Sequence, residues 1–236
     1  MRNWNSIVGC QPYFKGIIRL GLIVGGVILI LACQTPTVNV EEPKESLKFD
    51  TILVLPFEDM AARYGEGQTV RCEICGNVYR TGSVLEKADL TMTEQLIQIV
   101  AQWNKYTIVP PSRARGVFSE ILAKEDRSLT RKQALVKTAQ ALHADVVLTG
   151  HIFRFEQRVG ERYSIDKPAS VLFDVDLVNG QNGRLMWNKS FEETQQALLD
   201  NLLEVDKFFK RGAAWVTAEE LGAYGLKEVL KDFPHP

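Results

Sequence analysis

The sequence is poor in the features that usually give a function away. It has no excess of one charge: 28 Lys and Arg stand against 29 Asp and Glu. The basic footprint of a nucleic-acid binder is therefore missing. It contains no G-x-x-x-x-G-K-[ST], no G-x-S-x-G and no H-E-x-x-H. That removes the usual signatures of a P-loop, a nucleophile elbow and a zinc peptidase helix. Gly65-Glu66-Gly67 is too short to cradle a phosphate. Only three histidines occur, His143, His151 and His235, and none is spaced as a partner of another. No catalytic constellation is visible, so the reading is a protein that is not an enzyme.

Long apolar runs are also lacking. Leu20 to Ala32 is uncharged and apolar but only 13 residues long, well short of the roughly 20 a spanning helix needs. Arg2, Lys15 and Arg19 precede or flank it, and residues 1–32 hold no acid. A basic flank and a short apolar core are the pattern of a signal peptide. Ile30-Leu31-Ala32-Cys33 comes next, with an apolar residue three positions before the cysteine and a small one immediately before it. This resembles the bacterial lipobox. The resemblance implies that residues 1–32 are removed and that the Cys33 thiol carries diacylglycerol, with the new amine acylated as by palmitate. Two or three acyl chains, at about 0.8 kcal/mol per buried CH₂, hold a protein stably on a membrane. The alternative is an uncleaved signal anchor with an incidental cysteine. Ile7-Val8-Gly9-Cys10 is lipobox-like too, but no apolar run precedes it. Gln34 after the cysteine, by the enteric sorting pattern, implies the periplasmic face of the outer membrane. Without the leader, 25 bases face 29 acids, and the mature chain is mildly acidic at −4.

Residues 33–48 read as a tether. Gln34 to Lys48 is polar, holds Pro36 and Pro43, and has no apolar period. Such a segment reaches about 50 Å when extended. Beyond it the pattern changes. Phe49 to Phe57 is an apolar run stopped by Pro56, which predicts a strand buried on both faces. Glu58 to Lys87 has no period and carries Gly65, Gly67, Gly76 and Gly82, which predicts a long loop. Thr91 with Glu94, Thr130 with Gln133, and Thr217 with Glu220 are capping-box patterns that predict helix starts. A further helix is expected after Ser112, and a short strand over Tyr106 to Val109. Asp145 to Val159, Ser170 to Val178 and Arg184 to Thr194 predict strands, the last two joined by an Asn179-Gly180 and Asn182-Gly183 turn. Leu198, Leu202, Val205 and Phe209 share a helical stripe. The expectation is a mixed α/β fold: one mixed sheet over residues 49–194, a C-terminal antiparallel hairpin, helices on one face, and a helical extension over 195–236.

Two stretches carry a family resemblance: Ile52 to Asp59 (ILVLPFED) and Ala139 to Ile152 (AQALHADVVLTGHI). A strand ending in Leu-Pro-Phe, a helix ending in A-x-x-L-x-A-D and a strand reading VVLTG-x-I resemble the anticodon-binding-like periplasmic domain. That domain occurs in the curli-secretion lipoprotein, the N-terminal part of the Tol-system propeller protein, lipoprotein activators of penicillin-binding proteins and a polysaccharide-export lipoprotein. The resemblance covers roughly Phe49 to Thr194. It implies a fold and a compartment, with scaffolding, pore-forming or activating roles. Fold alone does not choose among them. The expected function is an adaptor or structural subunit in envelope assembly or export, bound to the membrane through Cys33 and to an envelope protein, with no nucleic acid. A homo-oligomeric export pore is the alternative. Its inserting hairpin would be Ser170 to Thr194, where Asp174, Asp176, Glu192 and Glu193 speak against a lipid-facing surface.

The sharpest chemical feature is Cys72-Glu73-Ile74-Cys75-Gly76-Asn77-Val78-Tyr79. C-x-x-C-G-x-x-Tyr resembles one knuckle of a rubredoxin or zinc ribbon, in which two thiolates grip one metal. Four ligands are needed, and the other cysteines, Cys10 and Cys33, are removed or lipidated. A zinc or iron here would need distant ligands or a second chain. The simpler reading is no cofactor and a Cys72–Cys75 disulfide or idle thiol pair, which suits an oxidising periplasm. A redox role lacks the strand-then-helix context of a thioredoxin motif. His151 inside a strand reads as a sheet histidine with a hydrogen-bond partner. Arg113, Arg115, Arg131 and Lys132 read as solvated helix faces. Phe208, Phe209 and Trp215 read as core or as a partner or self-association surface.

Overall fold

The computed structural model describes residues 48–124, 129–160, 165–195 and 216–235. The chain divides into two units, Met1–Glu45 and Ser46–Pro236, and every described residue belongs to the second. Cys10, Cys33, the leader and most of the tether lie outside the described residues, as do Phe208, Phe209, Trp215 and the stripe from Leu198.

A mixed six-stranded sheet organises the domain. β1 (Thr51–Val54) lies between β5 (Thr107–Val109) and β6 (Val146–Glu156), parallel to both. β9 (Ser170–Asn179) and β10 (Leu185–Thr194) extend it antiparallel on the other side of β6, and the two-residue β2 (Glu58–Asp59) also pairs with β6. The path is β10-β9-β6-β1-β5, the mixed sheet with a C-terminal hairpin that the pattern predicts. Asp145 ties its centre together, accepting the N–H groups of Asp50 and Thr51 at 3.0 and 2.9 Å. Gly150, in β6, leaves room for a ring. A Cβ there would stand 2.2 Å from Phe57 Cε1.

Helices cover both faces, which corrects the expectation of one. Ile52, Val54, Val146, Leu148, Val171, Phe173, Val175 and Leu177 pack with α2 (Ala88–Gln102) and α5 (Ala218–Leu230). Leu53, Leu55, Val147 and Val178 pack with α3 (Pro111–Lys124) and α4 (Arg131–Ala141). The reason is in β1 and the start of β6, which are apolar at consecutive positions and so need cover on both sides. The α5 helix, inside the segment read as an extension, contributes Ala218, Leu221, Leu226, Val229 and Leu230 to the larger core.

Capping boxes form at Thr130 and at Thr217 as the pattern predicts. α2 starts one turn earlier than Thr91, at Ala88 after Lys87 in a left-handed conformation. α3 starts at Pro111, whose missing N–H is no loss in a first turn. The stretch read as a long loop is largely structured. It holds α1 (Met60–Tyr64), capped by Asp59, and a ribbon of β3 (Thr69–Arg71) and β4 (Val78–Arg80). A small two-stranded ribbon, β7 (Val159–Gly160) with β8 (Ile165–Lys167), lies beyond β6. Among the described residues no helix is long and apolar enough to cross a membrane.

Candidate functional site

The β3–β4 ribbon folds over the outer half of the sheet on the α3/α4 side. Val70 of β3 joins Met60, Phe153 and Leu172 in a small apolar cluster, and Tyr79 packs against Phe153 at 4.1 Å between centroids, tilted by 30°. The ribbon turn carries the cysteines. Cys72 N–H donates to Asn77 O at 2.8 Å, Gly76 N–H donates to Cys72 O at 3.0 Å, and Gly76 has φ +80°, which only glycine adopts without strain. The turn drives Cys72 and Ile74 inward, each 2% exposed, and leaves Cys75 half-buried.

Beneath the turn lies a polar patch in an otherwise apolar interior. β9 alternates: Val171, Phe173, Val175 and Leu177 enter the larger core, and Asp174 and Asp176 point the other way, toward the ribbon. Neither aspartate is exposed at all. β6 places His151 directly opposite Asp174 in the antiparallel register, itself 2% exposed. His151 Nδ1 lies 2.7 Å from Asp174 Oδ1, 3.6 Å from Asp176 Oδ2 and 3.9 Å from Cys72 Sγ. Cys72 Sγ is 3.8 Å from Asp176 Oδ2. One donor atom from each of Cys72, His151, Asp174 and Asp176 lies within 4.8 Å of every other.

The outer edges of the patch are held as well. Asn188 Nδ2, from β10, donates to Asp176 Oδ1 at 2.7 Å, and Asn77 Nδ2 donates to Asn188 Oδ1 at 3.1 Å. Cys75 Sγ lies 3.4 Å from Asp174 Oδ2, and Cys75 N–H donates to Cys72 Sγ at 3.4 Å. Both cysteines are free thiols.

Charge balance is set by this geometry. Burial pulls the His151 imidazole down, but the Asp174 hydrogen bond and then the Cys72 contact outweigh it and carry it up to about 10. Burial, and then the charge of Asp174, push the Asp176 carboxyl up to about 7 against the pull of His151, Asn188 and Cys72. The contact with Cys75, and then burial, push the Cys72 thiol well up. Cys72 is thus the reverse of an activated nucleophile, which needs a depressed thiol pKa. Nor do Cys72, His151 and Asp174 form a relay. A catalytic histidine meets its acid and its nucleophile on opposite ring nitrogens. Here both approach Nδ1.

The other residues singled out in the sequence lie elsewhere. His143 closes α4 with φ +52°. His235 Nδ1 meets the Tyr106 hydroxyl at 2.8 Å, beside Phe49, Trp103 and Phe233. Arg113 and Arg115 are exposed. Arg131, read as a solvated face, is instead paired with Glu58 and lies over the Phe118 ring at 5.3 Å.

No protein-family model matches the chain, and no curated protein matches its sequence. Solved structures similar to it include the PelC dodecamer from Paraburkholderia phytofirmans, at 11% identity and TM-score 0.45, covering 77% of this chain and 86% of that one. The LpoB C-terminal domain from Salmonella enterica is similar at 15% identity and TM-score 0.40, over 64% and 87% of the two chains. Lipoprotein GNA1162 from Neisseria meningitidis is similar at 14% identity and TM-score 0.39, over 69% and 93%.

Proposed function

We propose that the protein is a lipid-anchored adaptor or structural subunit of the bacterial cell envelope, held through Cys33 on the periplasmic face of the outer membrane, and that it works by binding another envelope protein rather than by catalysis. The observation that carries this reading is the basic, then apolar, then Ile30-Leu31-Ala32-Cys33 sequence. The chain after Cys33 suits an anchored protein. Fifteen mostly polar residues separate Cys33 from Phe49, which is 3% exposed, stacks on Tyr106 at 5.2 Å and begins the folded domain. The lipid thus leads through a tether to a folded domain that presents surface at a distance from the bilayer. Among the described residues, the buried cysteine–histidine–aspartate grouping has the wrong ring-nitrogen geometry for acyl transfer, which favours binding over chemistry.

The test is metabolic labelling with a clickable palmitate analogue in a bacterial host, with membrane fractionation afterwards. The wild type is expected to take up label and sediment with the outer membrane, and Cys33→Ala to be unlabelled and soluble. Unchanged labelling of Cys33→Ala, or a soluble wild type, overturns the reading. Crosslinking in the same membranes distinguishes a hetero-partner from a ring of identical subunits.

A further inference from the structure

We infer that the protein binds one zinc-class divalent cation through Cys72 Sγ, His151 Nδ1 and one carboxylate oxygen each from Asp174 and Asp176, and that the metal staples the β3–β4 turn to the β6–β9 sheet. This does not depend on the lipid anchor.

Geometry is the first ground. In a tetrahedral site with bonds of 2.0–2.3 Å, neighbouring ligand atoms stand about 3.3–3.8 Å apart. Three of the six separations fall within about 0.1 Å of that range, and all six lie within 4.8 Å. The His151–Asp176 pair is at 3.6 Å, the Cys72–Asp176 pair at 3.8 Å and the Cys72–His151 pair at 3.9 Å. The His151–Asp174 pair, at 2.7 Å, is a hydrogen bond and would open by roughly 1 Å or less as a metal replaced the shared proton. Small side-chain movements convert the patch into a coordination sphere.

The second ground is how the four groups are held. A metal ligand is generally fixed by an outer partner that leaves its inner atom free. Asp176 gives Oδ1 to Asn188 and turns Oδ2 inward. Asp174 gives Oδ2 to Cys75 and turns Oδ1 inward. Cys72 Sγ receives the Cys75 N–H, the hydrogen bond through which a C-x-x-C turn steadies a thiolate. Both carboxylates and the thiol therefore have one side committed and one side facing the common centre.

Donor chemistry selects the ion. One sulfur, one imidazole nitrogen and two carboxylate oxygens suit zinc better than magnesium or calcium, which favour all-oxygen shells. A rubredoxin-type iron would need four sulfurs, and the turn offers two. With a thiolate and two carboxylates the bare site carries three negative charges, and a divalent ion reduces this to one. Binding is a ligand exchange with no oxidant: the protons of the Cys72 thiol and of His151 Nδ1 leave for the solvent as the metal enters. The half-buried Cys75 edge of the turn is the route in. The ligands come from three stretches of chain, so a bound ion would lock the ribbon to the sheet with bonds added to the apolar contacts of Val70 and Ile74.

The experiment uses the full chain, extracted in detergent, reduced with a phosphine, stripped with a chelator and dialysed. Zinc uptake is measured by elemental analysis and by competition with a chromophoric chelator, and cobalt(II) serves as the spectroscopic probe. Expected are one zinc per chain and a cobalt spectrum with tetrahedral d–d bands plus a thiolate-to-metal charge-transfer band. Cys72→Ser should lose the charge-transfer band, and Cys75→Ser should keep it. Asn188→Ala should weaken binding by about 10–100-fold, as removal of an outer partner does, with Asp174→Asn weakening it more. A reduced, folded wild type that takes up no zinc overturns the inference, whatever the variants do. So does a Cys72→Ser chain that binds zinc and cobalt as the wild type does.

Discussion

Replacing His151 by leucine is the most informative single change to the polypeptide itself. The two volumes are close, so the change removes a charge and a hydrogen bond without opening a large cavity. What remains is Asp174 and Asp176, neighbours on one face of β9 and both with no exposure, with their cation gone. Breaking a buried ion pair by removing one partner costs about 3–5 kcal/mol, because the other charge stays buried. The total stability of a domain this size is about 5–15 kcal/mol. A loss of that order lowers the midpoint of thermal unfolding by about 6–20 °C at the 2–4 °C per kcal/mol expected for 150–250 residues. The assay is equilibrium urea unfolding in excess chelator at neutral pH, read by tryptophan fluorescence. A second variant sharpens the test. Adding Asp174→Asn and Asp176→Asn to His151→Leu replaces the uncompensated carboxylate charge of the pair by neutral amides, so the triple variant should be more stable than the single one. A single variant within about 1 kcal/mol of wild type, or a triple variant weaker than the single, would refute the account of the patch as an electrostatically closed unit.

The pH dependence of the chelated protein is governed by the same groups. Asp176 is raised from its ordinary 3.8 to about 7 and His151 from 6.5 to about 10, so the folded state binds more protons than the unfolded one across this interval. Stability contributed by these groups is present at low pH and declines as pH rises, first through about 7 for Asp176 and then toward about 10 for His151. Urea midpoints at pH 5, 7 and 9 check it, and a rising series would refute it. A steric prediction concerns Gly150→Ala. Its Cβ would lie 2.2–2.6 Å from three atoms of the Phe57 ring, which is held by its own N–H on Thr93 and by an edge contact with Phe173. The loss should be about 1–3 kcal/mol, with Phe57→Leu in the same chain recovering part of it. Strict additivity of the two would show that the ring contact is not the cause.

Much of the fold is legible because its signals are local. Ile52 to Leu55 reads as a doubly buried strand from composition alone, and the Thr130 and Thr217 capping boxes mark helix starts within one turn of chain. What sequence pattern misses is the cover over the second face. The alternation of β9 reads correctly as two faces, but Asp174 and Asp176 at successive positions of one face invite the inference that this face meets water. It does so only if nothing lies above it. The covering element is the β3–β4 ribbon, whose strands are three residues each and whose sequence has no period. Short ribbons carry too few positions for alternation to show. The same blindness hides the site. Cys72 and Cys75 are visible through their spacing, whereas His151, Asp174 and Asp176 join them only through the β6–β9 register and the fold of the ribbon.

The polar patch is out of proportion to the needs of the fold. Such a domain needs a stable sheet and an exposed surface, and the two larger apolar clusters supply the first without help. Burying two carboxylates, an imidazole and a thiol adds nothing to that task, since apolar side chains of like volume in the same positions are often neutral or stabilising. The ribbon is anchored at two apolar points: Val70 joins Met60, Phe153 and Leu172, with Tyr79 at the edge, and Cys72 and Ile74 enter the core on the α3/α4 side. The polar contacts from its turn, Cys72 to Asp176 and Cys75 to Asp174, are where it meets the sheet chemically. Whatever sets the charge state of that patch, a proton or a metal, also sets how firmly the ribbon is held. The ribbon's other side, with Glu73, Val78 and Arg80, is exposed.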